Sequence, residues 1–293
     1  MWKLLKKTFD SWLDNDPFSH SAAIAYYTIF SFPALLIIMM TIASIFMEKA
    51  TFESNVMDYL RTMLGENTAN DLHVAMENTN LSYDGIWTFV VGGTVLLYAA
   101  LRLFSQLQKT LNKIWGVKLA RHVSFVKKVK RRAMALGVML TVGFILAVSL
   151  FTTVLLTALG DWLKTHIPTY LMSLFHGLNL SFSFATITLL FTAILKLLPD
   201  VDIRWKHAAF GGVMSAFLFM LGEYAMGIYF NMAEPQSAYG AVGSIILFMM
   251  WVSYSTLILL FGAEFCKACA TQNHEKVVPS DIAETDKNAQ SIA

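Results

Sequence analysis

Residues 208–231 read AAFGGVMSAFLFMLGEYAMGIYFN, twenty-four residues in which Glu223 is the only acidic or basic side chain. An α-helix rises about 1.5 Å per residue, so about 20 mostly apolar residues cross roughly 30 Å of hydrocarbon. Five more stretches meet that length, at about 22–47, 86–103, 134–158, 178–198 and 241–265. The composition of the 293-residue chain agrees: 56% of its residues are hydrophobic and 14% charged, against about 25% charged in soluble chains. Its mean hydropathy is +0.55. These values exclude a disordered chain and predict an all-α polytopic membrane protein with six transmembrane helices. The first stretch follows a polar and amphipathic lead and is too long for the apolar core of a cleavable signal, so it is expected to stay in the mature chain.

Lys and Arg close to membrane spans are retained in the cytoplasm. From the amino terminus onward, the segments flanking the six stretches hold 3, 2, 10, 1, 3, 0 and 3 of the 22 cations, with Arg102 and Lys196, at the ends of their stretches, counted in the segments that follow them. Alternate segments therefore hold 19 and 3, and every segment obeys the rule when both termini lie inside. With the acids counted, the inner segments carry +10, the outer ones −6 and the spans −2, a polarity that the net charge of +2 conceals.

Around the six-helix domain, residues 21–271, lie segments of other character. In residues 1–20, Trp2, Leu5, Phe9, Trp12 and Leu13 recur at helical spacing opposite Lys3, Lys6, Lys7, Asp10 and Asp14, which predicts an amphipathic interfacial helix. An outer helical cap is expected over about 48–85, and a basic inner segment over about 104–133. Where that inner segment begins, Leu103, Leu107, Leu111, Ile114 and Trp115 form a stripe that either extends the second span or lies along the inner surface. The polar tail, 272–293, contains Pro279 and few large apolar residues, and is predicted to be disordered. No internal repeat or second soluble domain is visible.

Ionisable groups inside a span cost several kcal/mol and mark function by default. Glu223 lies fifteen residues from the start of its stretch, roughly 22 Å along a helix. Gly212, Ala216 and Gly227 share its face at helical spacing. It reads either as a gate on a substrate or ion path, or as a protonated carboxyl hydrogen-bonded to a neighbouring helix. Glu264, near the inner end of the sixth span, reads as half of an ion pair with Arg102 or Lys196, or as part of the same path. Tyr26, Tyr27 and Pro33 in the first span, with Tyr239 and Tyr254 at the sixth, complete the candidate path. Pro33 is expected to kink or break its helix.

Lys127, Lys128, Lys130, Arg131 and Arg132 are read as contacts for anionic lipid, each worth about 1 kcal/mol near a membrane surface, rather than for nucleic acid. Cys266 and Cys269 form a lone CxxC without the further ligands that zinc requires, and read as reduced thiols. No nucleotide-binding, hydrolase or metalloprotease motif is present, so neither an enzyme, a metal nor a cofactor is expected. Membrane lipids are the expected partners, anionic headgroups at the cytoplasmic face above all, and a homo-oligomer is left open.

Several motifs carry a resemblance. They are Ala22-Ala23-Ile24-Ala25-Tyr26-Tyr27 with Ser31-Phe32-Pro33, Leu111-Asn112-Lys113-Ile114-Trp115, and Leu198-Pro199-Asp200 through Arg204-Trp205 to Gly211-Gly212. Tyr239-Gly240-Ala241 and Trp251 through Gly262-Ala263-Glu264 follow. In this order, over roughly residues 10–270, the chain resembles the YihY/BrkB family of bacterial inner-membrane proteins. The resemblance implies six spans, a cytoplasmic-membrane location and an association with virulence, but little chemistry. The family's former ribonuclease label is generally regarded as mistaken. Three functions are open on the sequence: a transporter or a translocator of lipids or envelope precursors without a nucleotide motor, a non-transporting scaffold for envelope assembly, and a membrane-tethered nuclease.

Overall fold

The computed structural model describes residues 2–43, 86–119, 169–233, 243–272 and 283–285, with a few isolated positions between them. In chain order the elements are α1 (Trp2–Asp14), α2 (Pro17–Ala43), α3 (Ile86–Ile114), β1 (Val117–Leu119), α4 (Thr169–Leu197), α5 (Trp205–Ala233), α6 (Gly243–Gln272) and β2 (Ala283–Thr285). The fold is mostly helical. Five of the expected spans coincide with α2 to α6. The third, 134–158, lies outside the described residues, as do the outer cap and residues 120–133, isolated positions apart. Among the described residues, Leu180–Leu197, Trp205–Ile228 and Ile245–Gln272 are long and apolar enough to cross a membrane.

Local sequence sets the helix ends. Asp16 adopts a left-handed backbone conformation with φ 54°, which a short polar side chain tolerates, and turns the chain from α1 into α2. It then caps α2: its Oδ1 accepts from the Ser19 amide at 3.5 Å, while Pro17 occupies the first helical position, where a missing N–H costs nothing. Hydrogen bonding from Ser19, its side chain first and its amide second, holds the Asp16 carboxyl below its ordinary range. Gly116, with φ 65°, ends α3, and its amide returns to the Lys113 carbonyl at 3.0 Å. α2 is helical on both sides of Pro33, so the sequence-predicted break does not occur there. α3 is continuous to Ile114, so the stripe from Leu103 onward extends the second span.

α6 is the central helix, packed on α5, α2 and α1, while α4 packs on α5 and α3 on α2. The main core gathers where α3, α4 and α6 end and α5 begins, which we call the basal end; it contains Leu111, Leu195, Leu198, Leu260 and Cys266, each no more than 2% exposed. Backbones approach closely here. A Cβ on Gly211 would stand 2.7 Å from the Gly262 carbonyl, one on Gly262 would collide with Ser215, and one on Gly212 with Thr192. Glycine is required at these crossings because no side chain fits.

The composition of the tail predicts disorder, yet part of it is ordered. β2 pairs antiparallel with β1, placing Val117, Lys118 and Leu119 opposite Thr285, Glu284 and Ala283. Pro279 bridges to Val201, and the Ser280 amide donates to the Asp200 carbonyl at 3.0 Å. Local composition favours disorder, but backbone pairing with β1 and the α4–α5 linker orders these residues.

Candidate functional site

α1 sets up the first polar cluster. Its Thr8, Ser11 and Trp12, with Asn15 just past its end, recur at three- and four-residue spacing, so they share one flank, and that flank packs on α6. Trp12 Nε1 donates to the Leu257 carbonyl at 3.2 Å and its indole meets Phe261 edge-on. One turn further, Glu264 is 2% exposed, and its two carboxyl oxygens accept from Ser11 Oγ at 2.9 Å and Asn15 Nδ2 at 2.6 Å. The ion pair expected for Glu264 is not formed with either named cation. Lys196 instead bonds Asp202 at 2.9 Å and the Ile203 carbonyl, and Arg102 bonds the Tyr98 hydroxyl at 2.7 Å while lying over its ring. Two neutral donors satisfy a buried carboxyl without burying a second charge.

Beside this cluster, Lys113 donates to the Asn15 carbonyl at 3.3 Å and lies 3.2 Å from His20 Nε2. Burial, with the Lys113 ammonium adding to it, holds His20 below its ordinary value of 6.5. A neutral imidazole can accept from Lys113, whereas a protonated one faces a like charge. Trp12, Asn15, His20, Lys113, Leu260 and Glu264 line a small cleft with about 10 Å³ of room.

The second cluster lies where α3 meets the α4–α5 linker. Asp200 Oδ2 accepts from Asn112 Nδ2 at 2.6 Å, its Oδ1 accepts from Gln108 Nε2 at 3.2 Å, and its amide donates to Asn112 Oδ1 at 2.8 Å. Gln108 also donates to the Leu198 carbonyl at 3.0 Å. All three side chains are buried. At the linker's other end, the hydrogen bond from Lys196 and its positive charge keep Asp202 below the usual carboxylate range.

The third cluster is higher, between α5 and α6. The Tyr254 hydroxyl donates to the Leu218 carbonyl at 2.9 Å and lies over Gly222, where a Cβ would collide with it. The half-buried Glu223 is close enough to Tyr254 to interact electrostatically. Of the small residues on the Glu223 face, Gly212 and Ala216 are packed tightly, but among the described residues a Cβ on Gly227 would meet nothing within 4 Å. Glu223 therefore stands where α5 leaves its packed half.

Among the sequence-predicted site residues, then, the structure groups Glu223 with Tyr254, and Glu264 with α1. Ten residues of α6, about 15 Å, separate Tyr254 from Glu264. Tyr26 is exposed on α2, its ring 5.6 Å from that of Tyr27 and 5.1 Å from that of Phe30. Pro33 lies on the backbone of α2. Tyr239 and the cations Lys127, Lys128, Lys130, Arg131 and Arg132 lie outside the described residues. Cys266 and Cys269 are free thiols, the first fully buried. Among the described residues no three His, Cys, Asp or Glu side chains are grouped to hold a metal ion. Sequence reasoning did not single out Ser11, Asn15, Gln108, Asn112 or Asp200 as site residues. Asn112 and Asp200 do carry a signal, being polar members of two motifs that the fold joins.

No solved structure matches the chain. It is 29% identical over 279 residues to a UPF0761 membrane protein of Vibrio vulnificus, covering 91% of this chain and 84% of that one. A UPF0761 membrane protein of Vibrio parahaemolyticus is 30% identical over 256 residues, covering 86% and 77%. One from Xanthomonas oryzae is 24% identical over 271 residues, covering 90% and 60%. Residues 8–287 match the family described as "Virulence factor BrkB". This chain is thus an integral membrane protein of the BrkB family.

Proposed function

We propose that this protein moves lipids or envelope precursors across the bacterial inner membrane without a nucleotide motor, through six spans with both termini in the cytoplasm. Glu223 carries this reading: a half-buried carboxyl in the apolar stretch of α5, beside Tyr254, at the point where tight packing among the described residues ends. A charged side chain at a helix centre costs about 2.5–3.5 kcal/mol on insertion scales, and such groups are kept where they face a partner or a wet path. In this reading Glu223 exchanges a proton or cation, and Tyr26, Tyr27, Tyr239 and Tyr254 line the path. Pro33 lets α2 flex. Glu264 anchors the path's inner end, and Lys127, Lys128, Lys130, Arg131 and Arg132 attract anionic headgroups.

The test uses purified protein in phosphatidylethanolamine and phosphatidylglycerol vesicles, with fluorescent lipids quenched from outside, with and without a proton gradient. Transfer between leaflets that Glu223→Gln abolishes while folding is kept supports the reading. No transfer of lipids or small solutes under any gradient sinks it. The scaffold reading draws on the heavily tied basal end and expects Glu223→Gln to be silent in cells.

A further inference from the structure

The basal end is fastened more than once at the same place. β1 follows α3 after a two-residue turn, and β2 lies on it in register. Before β2, Pro279 and Ser280 attach to Val201 and Asp200 on the α4–α5 linker. Under that attachment, Asp200 is held by Asn112 and Gln108 of α3. The tail thus touches both bodies that the Asp200 cluster joins. Its own hold is modest: a two-stranded ladder of three residues is marginal alone. Lys118 and Glu284 stand opposite each other in it, so opposite charges contribute to the pairing.

We propose that Pro279, Ser280 and β2 (Ala283–Thr285) form a releasable strap that locks the α3 end to the α4–α5 linker, so that its detachment loosens the Asp200 cluster and frees the basal end to move. The proposal does not rest on transport, because it concerns which parts separate and not what crosses.

Two measurements on the full chain in native membranes test it. Directly opposite residues in a ladder have Cβ atoms about 4.5–5.5 Å apart, close to disulfide range. Lys118→Cys with Glu284→Cys should therefore oxidise to an intramolecular bridge, while neither single variant does. Ser280→Pro removes the amide donor to Asp200, whereas Ser280→Ala keeps it. Amide exchange at Leu111–Ile114 and Asp200 should rise about tenfold in Ser280→Pro, in line with the loss of one or two hydrogen bonds. The centres of α4 and α5 should be unchanged. Lys118→Glu, which places two acids opposite each other, should act in the same direction. Failure of the double cysteine variant to bridge overturns the strap. Unchanged exchange in both Ser280→Pro and Lys118→Glu overturns the coupling to the Asp200 cluster.

Discussion

At the scale of single residues, the buried Glu264 shows how a carboxyl is housed by neutral hydrogen-bond donors rather than by a direct ion pair. Glu264→Ala removes the acceptor of the half-buried Ser11 hydroxyl and one of the two acceptors of Asn15, whose Nδ2 keeps the Ser11 carbonyl at 3.1 Å, and each lost hydrogen bond costs about 0.5–1.5 kcal/mol. The variant should lower the thermal midpoint in detergent and alter Trp12 fluorescence as α1 loosens. An unchanged midpoint would mean that the two bonds contribute little. His20 gives a pH dependence with a definite sign. Its folded pKa lies below the unfolded 6.5, so as pH falls below about 6.5 the unfolded chain takes up a proton that the folded one resists, and stability drops. Thermal midpoints measured from pH 7.5 to 5 should fall more steeply for the natural chain than for His20→Asn. Glu264 was legible in the sequence as a charge in a span; its partners were not. Asn15 is 249 residues distant, and its flank of α1 reads as the boundary between an apolar and a charged face.

At the scale of helices, apolar length carried most of the fold. The stretches corresponding to α2, α4, α5 and α6 could be read because a span must be long and apolar, whereas α3 runs past its apolar stretch because packing replaces lipid around Leu111, Ile114 and Trp115. α1 was read as having two faces and has three. Thr8 and Trp12 turn to α6, while Trp2, Phe9 and Leu13 stay exposed within about 40° of one another, beside the charged side. Periodicity identifies an apolar face but cannot divide it between protein and lipid. The α5–α6 crossing gives a coupled prediction. Gly262→Ala should destabilise by about 1–3 kcal/mol because its new methyl meets Ser215. Ser215→Ala should recover part of that loss, since the Gly211 carbonyl, 3.0 Å from the same point, remains. Strict additivity of the two changes in a double-mutant cycle would place the contact elsewhere. Gly116→Ala should cost about 1 kcal/mol through its left-handed backbone, read in the same assay.

At the scale of the whole molecule, charge and packing favour the same end. The proposed inner segments hold 19 of the 22 cations, and the described elements bring the ends of α3 and α4, the start of α5 and the tail together there. A fluorescent protein fused after residue 293 should therefore mature and fluoresce, while alkaline phosphatase at the same position should stay inactive; the reverse would invert the topology. This polarity was legible because it is additive along the chain. The Asp200 cluster was not, because it depends on Gln108, Asn112 and Asp200 converging from distant segments. That convergence also sets an order of assembly. Asp200 receives one partner from Ser280, eighty residues further along the chain, so the cluster's fastening waits until that later stretch has been made. Until then the newly made chain carries an unfinished face where α3 meets the α4–α5 linker.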